Sequence, residues 1–350
     1  MRAKPRLGDR RATPDGGSQI FDGQEWTAPD TPAGRMAARA AAAPRFVSAA
    51  ELQGKTFPPV RWVVPDLIPQ GLTILAGKPK LGKSWLSLDV ALSAARGGWT
   101  LGDRRCIEGD VLYAALEDGE PRLKSRMAKV CQMPAWPGRL TFCTEAPNLT
   151  SGGLDFLQGW AASATDPRLI IVDTFAKVRP TKMRDETQYE ADYRAAGMLK
   201  GLADETGVAV VMVHHVRKQE ADDPFDTVSG TNGLTGAADT ILILRRESGG
   251  VTLCGRGRDI EEFELAVQFQ KDTCRWRVLG DADELKMSNE RRAVMEALRP
   301  AAEPLTIAEV AALTGHSVTA TKKLLFRMFQ AGELQRNQRG RYSVAGLGPG

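Results

Sequence analysis

The chain has no two cysteines spaced as a metal-binding pair, and its five (Cys106, Cys131, Cys143, Cys254, Cys274) are scattered and odd in number. That pattern excludes the usual zinc-ligand spacing and a disulfide framework, leaving buried free thiols in a reducing compartment as the expectation. Histidine is scarce, at three residues in 350, so any role for one depends on its placement. No run approaches 18 apolar residues, so no membrane-spanning helix is expected. The N-terminus lacks the basic, apolar and cleavage-site order of a secretory signal, which points to a cytoplasmic protein without a membrane partner. Charge of one sign is also missing overall. A net +4 identifies no partner by itself.

What is present has an order. Residues 1–45, punctuated by Pro5, Pro14, Pro29, Pro32 and Pro44, read as a disordered lead-in, with an Ala run at 37–43 that has nothing large to bury. Residues 46–280 alternate short apolar runs with helix-length segments. Strands are expected at Leu72–Ala76, Asp110–Leu116, Leu140–Cys143, Leu169–Val172, Val208–Val213 and Thr240–Leu244, and helices at 84–96, 119–132, 153–164 and 187–206. Continuous apolar strands separated by helices predict an α/β fold with a mainly parallel sheet covered on both faces. Three alternating runs, Val251–Cys254, Phe263–Phe269 and Arg275–Val278, predict antiparallel strands at one edge. The polar stretch 281–285 reads as a linker to a small domain at 286–346.

Five motifs carry chemistry. Gly77-Lys78-Pro79-Lys80-Leu81-Gly82-Lys83-Ser84 has phosphate-loop spacing between an expected strand and an expected helix, and Trp85 completes the candidate nucleotide segment. Glycines let backbone N–H groups surround phosphate oxygens at a helix N-terminus, Lys83 supplies a point charge, and Ser84 can ligate Mg²⁺. The run Leu169-Ile170-Ile171-Val172-Asp173 ends in a carboxylate suited to the Mg²⁺ shell. Another strand ends in Glu117-Asp118: Glu117 is a candidate base for the attacking water, while an acid there also suits the start of the next helix. His214 and His215 close a third strand, and adjacent residues of a strand point to opposite sides. A shared two-histidine metal site is therefore not expected. His214 is the candidate γ-phosphate sensor, with a structural hydrogen bond as the alternative. Arg256 and Arg258, spaced by glycines, are candidate arginine fingers or solvated hairpin residues.

Taken in this order, the motifs over about 55–270 resemble the RecA-like, AAA-family ATPases of the RepA-type replicative helicase group of plasmids, phages and integrated elements. The resemblance also rests on His214-His215-x-Arg217-Lys218, on Ser229-Gly230-Thr231-Asn232-Gly233-Leu234-Thr235-Gly236-Ala237-Ala238-Asp239, and on Gly257-Arg258-Asp259. It implies ATP and Mg²⁺ as cofactors and a ring, usually hexameric, with nucleotide between protomers and single-stranded DNA in the channel. It also implies Glu117 as base, His214 as sensor and Arg256 or Arg258 as finger. The loops at 178–190 and 215–230 fall where such rings contact DNA. With Lys177 just before the first, they carry Arg179, Lys182, Arg184, Arg217 and Lys218, but also acids and few aromatics.

In the last segment, helices are expected at Asn289–Leu298, Thr306–Leu313 and Val318–Gln330, followed by a hairpin over Leu334–Val344. This order resembles a winged helix, which binds duplex DNA or docks protein. Lys322, Lys323, Arg327, Arg336, Arg339 and Arg341 face only Glu333 between positions 322 and 341. The whole reads as an ATP-hydrolysing helicase or translocase. The alternative is a nucleotide-switched DNA-binding initiator, loader or regulator that does not unwind.

Overall fold

A computed structural model of the chain describes residues 10–12, 18–21, 24–28, 46–216, 223–228, 233–247, 250–301, 303–337 and 339–345. The chain divides into two compact units, Met1–Pro59 and Val60–Gly350. In the first, Arg10–Ala12, Ser18–Phe21 and Trp26–Thr27 pair as a three-stranded antiparallel sheet. This corrects the disordered reading of residues 1–45 where they are described: Phe21 and Trp26 bring their rings to 5.5 Å across the hairpin. The Ala run lies outside the described residues. A short helix, Ala49–Gln53, carries a capping box between Ser48 and Glu51. The boundary after Pro59 places residues 46–59 with this unit and not with the one that follows.

The second unit is built on a nine-stranded sheet. We number its strands β1 (Gly71–Gly77), β2 (Asp110–Ala115), β3 (Leu140–Cys143), β4 (Pro167–Asp173), β5 (Ala209–His215), β6 (Thr240–Glu247), β7 (Gly250–Gly257), β8 (Phe263–Gln270) and β9 (Arg275–Asp281). Their order across the sheet is β3-β2-β4-β5-β1-β6-β7-β8-β9. The first six are parallel and the last three join antiparallel. This is the expected α/β arrangement of a mainly parallel sheet with an antiparallel edge, with the candidate phosphate loop leaving the C-terminal end of β1.

Strand alternation explains why both faces are buried. Tyr113, Ile171, Val211 and Val213 belong to one core cluster, while Leu112, Ile170, Val172 and Met212 belong to the other. Helices α1 (Lys83–Ala94) and α2 (Glu120–Val130) supply the first cluster, and α3 (Leu154–Ser163) and α4 (Gln188–Thr206) the second. Because α1 is buried nearly all round, its sequence is apolar without a clear stripe.

After β9 the chain forms α5 (Ala282–Leu298), α6 (Ile307–Thr314), α7 (Val318–Gln330) and a hairpin of Leu334–Arg336 with Tyr342–Val344. Val294, Leu298, Val310, Leu324, Leu325 and Met328 make a separate small core there. The expected linker at 281–285 is not one: Asp281 accepts the amides of Asp283 and Glu284, each at 3.0 Å, so the polar residues start α5 directly. Thr306 and Glu309 form the expected capping box on α6. Among the described residues, no helix is long and apolar enough to cross a membrane.

Candidate functional site

The parallel strands bring Gly77, Glu117, Asp173 and His215 to one edge of the sheet. Gly77 can approach there because it has no side chain: a Cβ at its φ of +156° would lie 2.5 Å from the Leu244 carbonyl oxygen. Lys80 and Gly82 also take positive φ, at 62° and 104°, which turns the loop back into α1. Helix α1 begins at Lys83 after the Gly82 cap, which puts the amides of its first residues at the loop.

Lys83 is buried at 4% exposure. Its ammonium reaches the carbonyls of Gly77 at 2.7 Å and Lys78 at 3.1 Å, and lies 3.1 Å from His215 Nδ1. A charged lysine in this position requires Nδ1 to be the unprotonated ring nitrogen. Burial pushes the Lys83 pKa down to about 8, although the carboxylates of Asp173 and Glu117 pull it upward. A cation held in a desolvated cradle of carbonyls is prepared to meet an anion.

Asp173, also buried, accepts a 2.6 Å hydrogen bond from Tyr113 Oη, which lies 3.4 Å from the Ser84 carbonyl. Tyr113 therefore ties the end of β4 to the start of α1. Its role escaped the sequence reading because its side chain was an ordinary core aromatic there. The available signal was position: the register puts Tyr113 opposite Ile171, two residues before Asp173. Burial first, then Asp173, hold the phenol pKa well above its usual range, so it stays a donor.

The adjacent acids separate. Asp118 is buried and engaged by Arg126, with Arg122 at 3.4 Å, which locks it to α2. Glu117 is exposed and within electrostatic reach of Lys83. Arg126 also lies 5.2 Å over the half-buried Trp85 ring.

Two sequence assignments change. His215, and not His214, meets the phosphate loop. Alternation is the reason: His215 shares its side of β5 with Val213, toward α1, while His214 shares Met212's side. His214 instead packs its ring edge-on to Phe175 at 6.2 Å, and burial lowers its pKa to about 4. Arg256 is bound within its own chain: it reaches Glu262 at 2.9 and 2.7 Å and Asp223 at 2.9 Å, and covers the Phe225 ring at 4.1 Å. An open cavity of about 510 Å³ beside it is lined by Asp223, Phe225, Glu262 and Glu264, away from the phosphate loop. Arg258 keeps a 65% exposed side chain with one ion pair, to Asp239 at 3.1 Å. Both arginines sit near the opposite end of the sheet, since Gly257 pairs with Thr240 while Leu244 pairs with Gly77. Arg217, Lys218 and Ser229–Asn232 lie outside the described residues.

The donor set suits a nucleotide–Mg²⁺ pair. Among the described residues, no group of three or more His, Cys, Asp or Glu could hold a metal unaided. Ser84 and Asp173 sit together through Tyr113, and such a sparse oxygen set suits an ion that phosphates help to hold.

Comparison with solved structures returns an ATPase domain, at 14% identity over 60% of this chain and 85% of that one (TM-score 0.46). A DnaB-like replicative helicase studied with primase matches at 14% identity over 59% of this chain and 57% of that one (TM-score 0.46). A KaiC-like protein, PH0186, from Pyrococcus horikoshii OT3 matches at 13% identity over 63% and 99% (TM-score 0.43). No curated protein matches the sequence. A family model described as AAA domain (AAA_25) matches residues 37–221. That match spans more than half of the chain, which therefore belongs to the AAA domain family.

Proposed function

We propose that this chain hydrolyses ATP to remodel DNA, as a RepA-like helicase or translocase of a plasmid, phage or integrated element. The observation that carries the ATPase reading is the convergence of Lys83, Asp173 and Glu117 at the end of three parallel strands. Gly77–Trp85 would hold the nucleotide, with Lys83 turning from its carbonyls to the phosphates. Ser84 and Asp173 would hold Mg²⁺, whose charge offsets that on the phosphoryl oxygens. Glu117, which has no arginine partner among the described residues of the kind that neutralises Asp118, accepts the proton of the attacking water. His215 senses the γ-phosphate through Lys83. Arg258, exposed and distant from its own loop, is the better candidate to enter a neighbour's site in a ring. Arg256 would first have to leave two carboxylates.

Two surfaces support DNA as the partner. Tyr189 and Tyr193 stack at 6.1 Å with an interplanar angle of 11°, and both are exposed at the start of α4. They follow the exposed Lys182 and Arg184, the pairing of π-faces and cations that single strands use. The exposed side of α7 presents Lys322, Lys323 and Arg327. This is the helix a winged-helix domain would place in a major groove. The exposed basic side of α7 also favours the second reading, a nucleotide-switched duplex binder that does not unwind.

The deciding experiment measures ATP turnover without DNA, with single strands and with duplex, alongside the assembly mass and unwinding of forked substrates. Stimulation with strand separation supports the helicase. Nucleotide-dependent duplex binding without separation supports the switch. Turnover indifferent to both DNAs, with no binding to either, would sink the DNA reading.

A further inference from the structure

The last strand of the sheet reaches back to the phosphate loop. Trp276, on β9 and only 3% exposed, donates its indole N–H to the Gly82 carbonyl at 3.2 Å. A Cβ on Gly82 would stand 2.9 Å from the Trp276 ring, so the indole lies flush with the loop. The same carbonyl accepts the amides of Trp85 and Leu86, both at 3.1 Å, and so starts the first turn of α1. Phe269 backs the indole edge-on at 5.3 Å and also meets Trp85 at 6.2 Å.

In a trans peptide the carbonyl and the following N–H point opposite ways. Fixing the Gly82 carbonyl therefore aims the Lys83 amide away from Trp276, into the loop. The neighbouring residue strengthens the attachment. Arg275 binds Asp89 at 2.6 Å and Ser93 at 3.1 Å, both on α1, and Asp89 is fully buried with Thr100 at 2.8 Å. Strand β9 is thus held to α1 by a buried ion pair and by the indole, and it then ends at Asp281, the cap of α5.

We propose that Trp276 is a positioning residue for the nucleotide loop, and that β9 relays the loop's occupancy into α5 and the C-terminal helices. The proposal rests on the nucleotide reading of the Gly77–Ser84 loop. It assigns β9 a task beyond completing the sheet: the strand is a covalent and packed route from the phosphate loop to α7.

Hydrogen–deuterium exchange on the full chain, with and without a non-hydrolysable ATP analogue and Mg²⁺, tests the relay. The expected result is slowed exchange in Gly77–Ser84, in β9 and in the first turns of α5. Trp276→Phe keeps an aromatic ring but removes the donor. It should raise KM for ATP about fivefold, the scale of one missing hydrogen bond, and lower kcat by less than half. It should also erase the α5 protection while the loop stays protected. Loop protection in the wild type without any change in 275–290 would overturn the relay. An unaltered KM in Trp276→Phe would overturn the positioning role. Absence of protection even at the loop would overturn the nucleotide reading and this proposal with it. The wild-type exchange pattern decides the relay even if the variant does not fold.

Discussion

Tyr113 on β2 donates its hydroxyl to Asp173 on the adjacent β4 at 2.6 Å, which fixes the orientation of a buried carboxylate at the edge where the phosphate loop begins. Neighbours that orient a metal-holding carboxylate typically alter metal affinity by about 10–100-fold when removed. Tyr113→Phe should therefore shift the Mg²⁺ dependence of ATP turnover to at least about tenfold higher concentration. Unfolding free energy should fall by about 1–3 kcal/mol, because Asp173 is left short of a donor. A Mg²⁺ titration of turnover, with denaturant unfolding, checks both.

Lys83→Ala should abolish measurable turnover while leaving the protein folded. The native ammonium is held in a desolvated place, so its removal relieves a cost at the same time as it takes a donor from Gly77, Lys78 and His215. Circular dichroism and a thermal scan of the variant, together with its turnover, would show whether fold and activity separate in this way.

The acids Glu117 and Asp118 should behave as different kinds of residue. Glu117→Gln should bind nucleotide and turn it over at least about 10²-fold more slowly, the scale of general-base help. Asp118→Asn loosens the hold of Arg122 and Arg126 and should act mainly on stability. Turnover of Glu117→Gln within a few-fold of the wild type would reduce Glu117 to a surface acid.

His214 makes stability depend on pH. Burial lowers its pKa to about 4, against about 6.5 for an unfolded histidine. Between those values the unfolded chain binds a proton that the folded one refuses. The contribution is complete above pH 6.5 and is lost as pH falls toward 4, by about 3 kcal/mol in all. His214→Gln should flatten the slope of unfolding free energy in that window. A slope equal to wild type would show that His214 is not held neutral.

On α7, Lys322, Lys323 and Arg327 are exposed, whereas Arg341 is committed to the Pro304 carbonyl at 3.0 Å and to Glu309 at 3.5 Å. Replacing the three exposed residues with alanine should weaken duplex binding and flatten its salt dependence, by about 0.9 in the log–log slope for each phosphate no longer neutralised. Because β9 runs into α5 without a linker, these substitutions test the domain more cleanly than its removal. An unaltered slope would take duplex binding away from α7.

Most strands and helices were legible because their apolar runs are long and their spacing is regular; β3 in the sheet and α7 in the C-terminal part fall at the residues expected. The phosphate loop was legible for the same reason that it works, since its glycines and lysine have no substitutes at those positions. What the sequence could not convey were choices between neighbours. Whether His214 or His215 faces α1 depends on the register of β5, and whether Arg256 is free depends on Asp223 and Glu262, distant or near in chain but unforeseeable as partners. Residues 281–285 misled because a polar run serves equally as linker or helix cap. The N-terminal sheet was missed because strands of two to four residues leave too little period to read.

The arrangement of thiols offers a practical handle. Cys106, Cys131, Cys254 and Cys274 are buried, and burial pushes Cys106 up to about 12 and Cys254 up to about 11. Thiol-specific dyes attack the thiolate, so at neutral pH Cys106 and Cys254 present almost no target, while burial keeps dyes from Cys131 and Cys274. Cys143, partly accessible at the C-terminal end of β3, is left as the preferred attachment point. It stands beside β2, the strand that leads to Glu117. A single fluorophore could thus be placed near the reacting edge of the native protein without first removing any cysteine, and each of the variants above could be followed by the same optical signal.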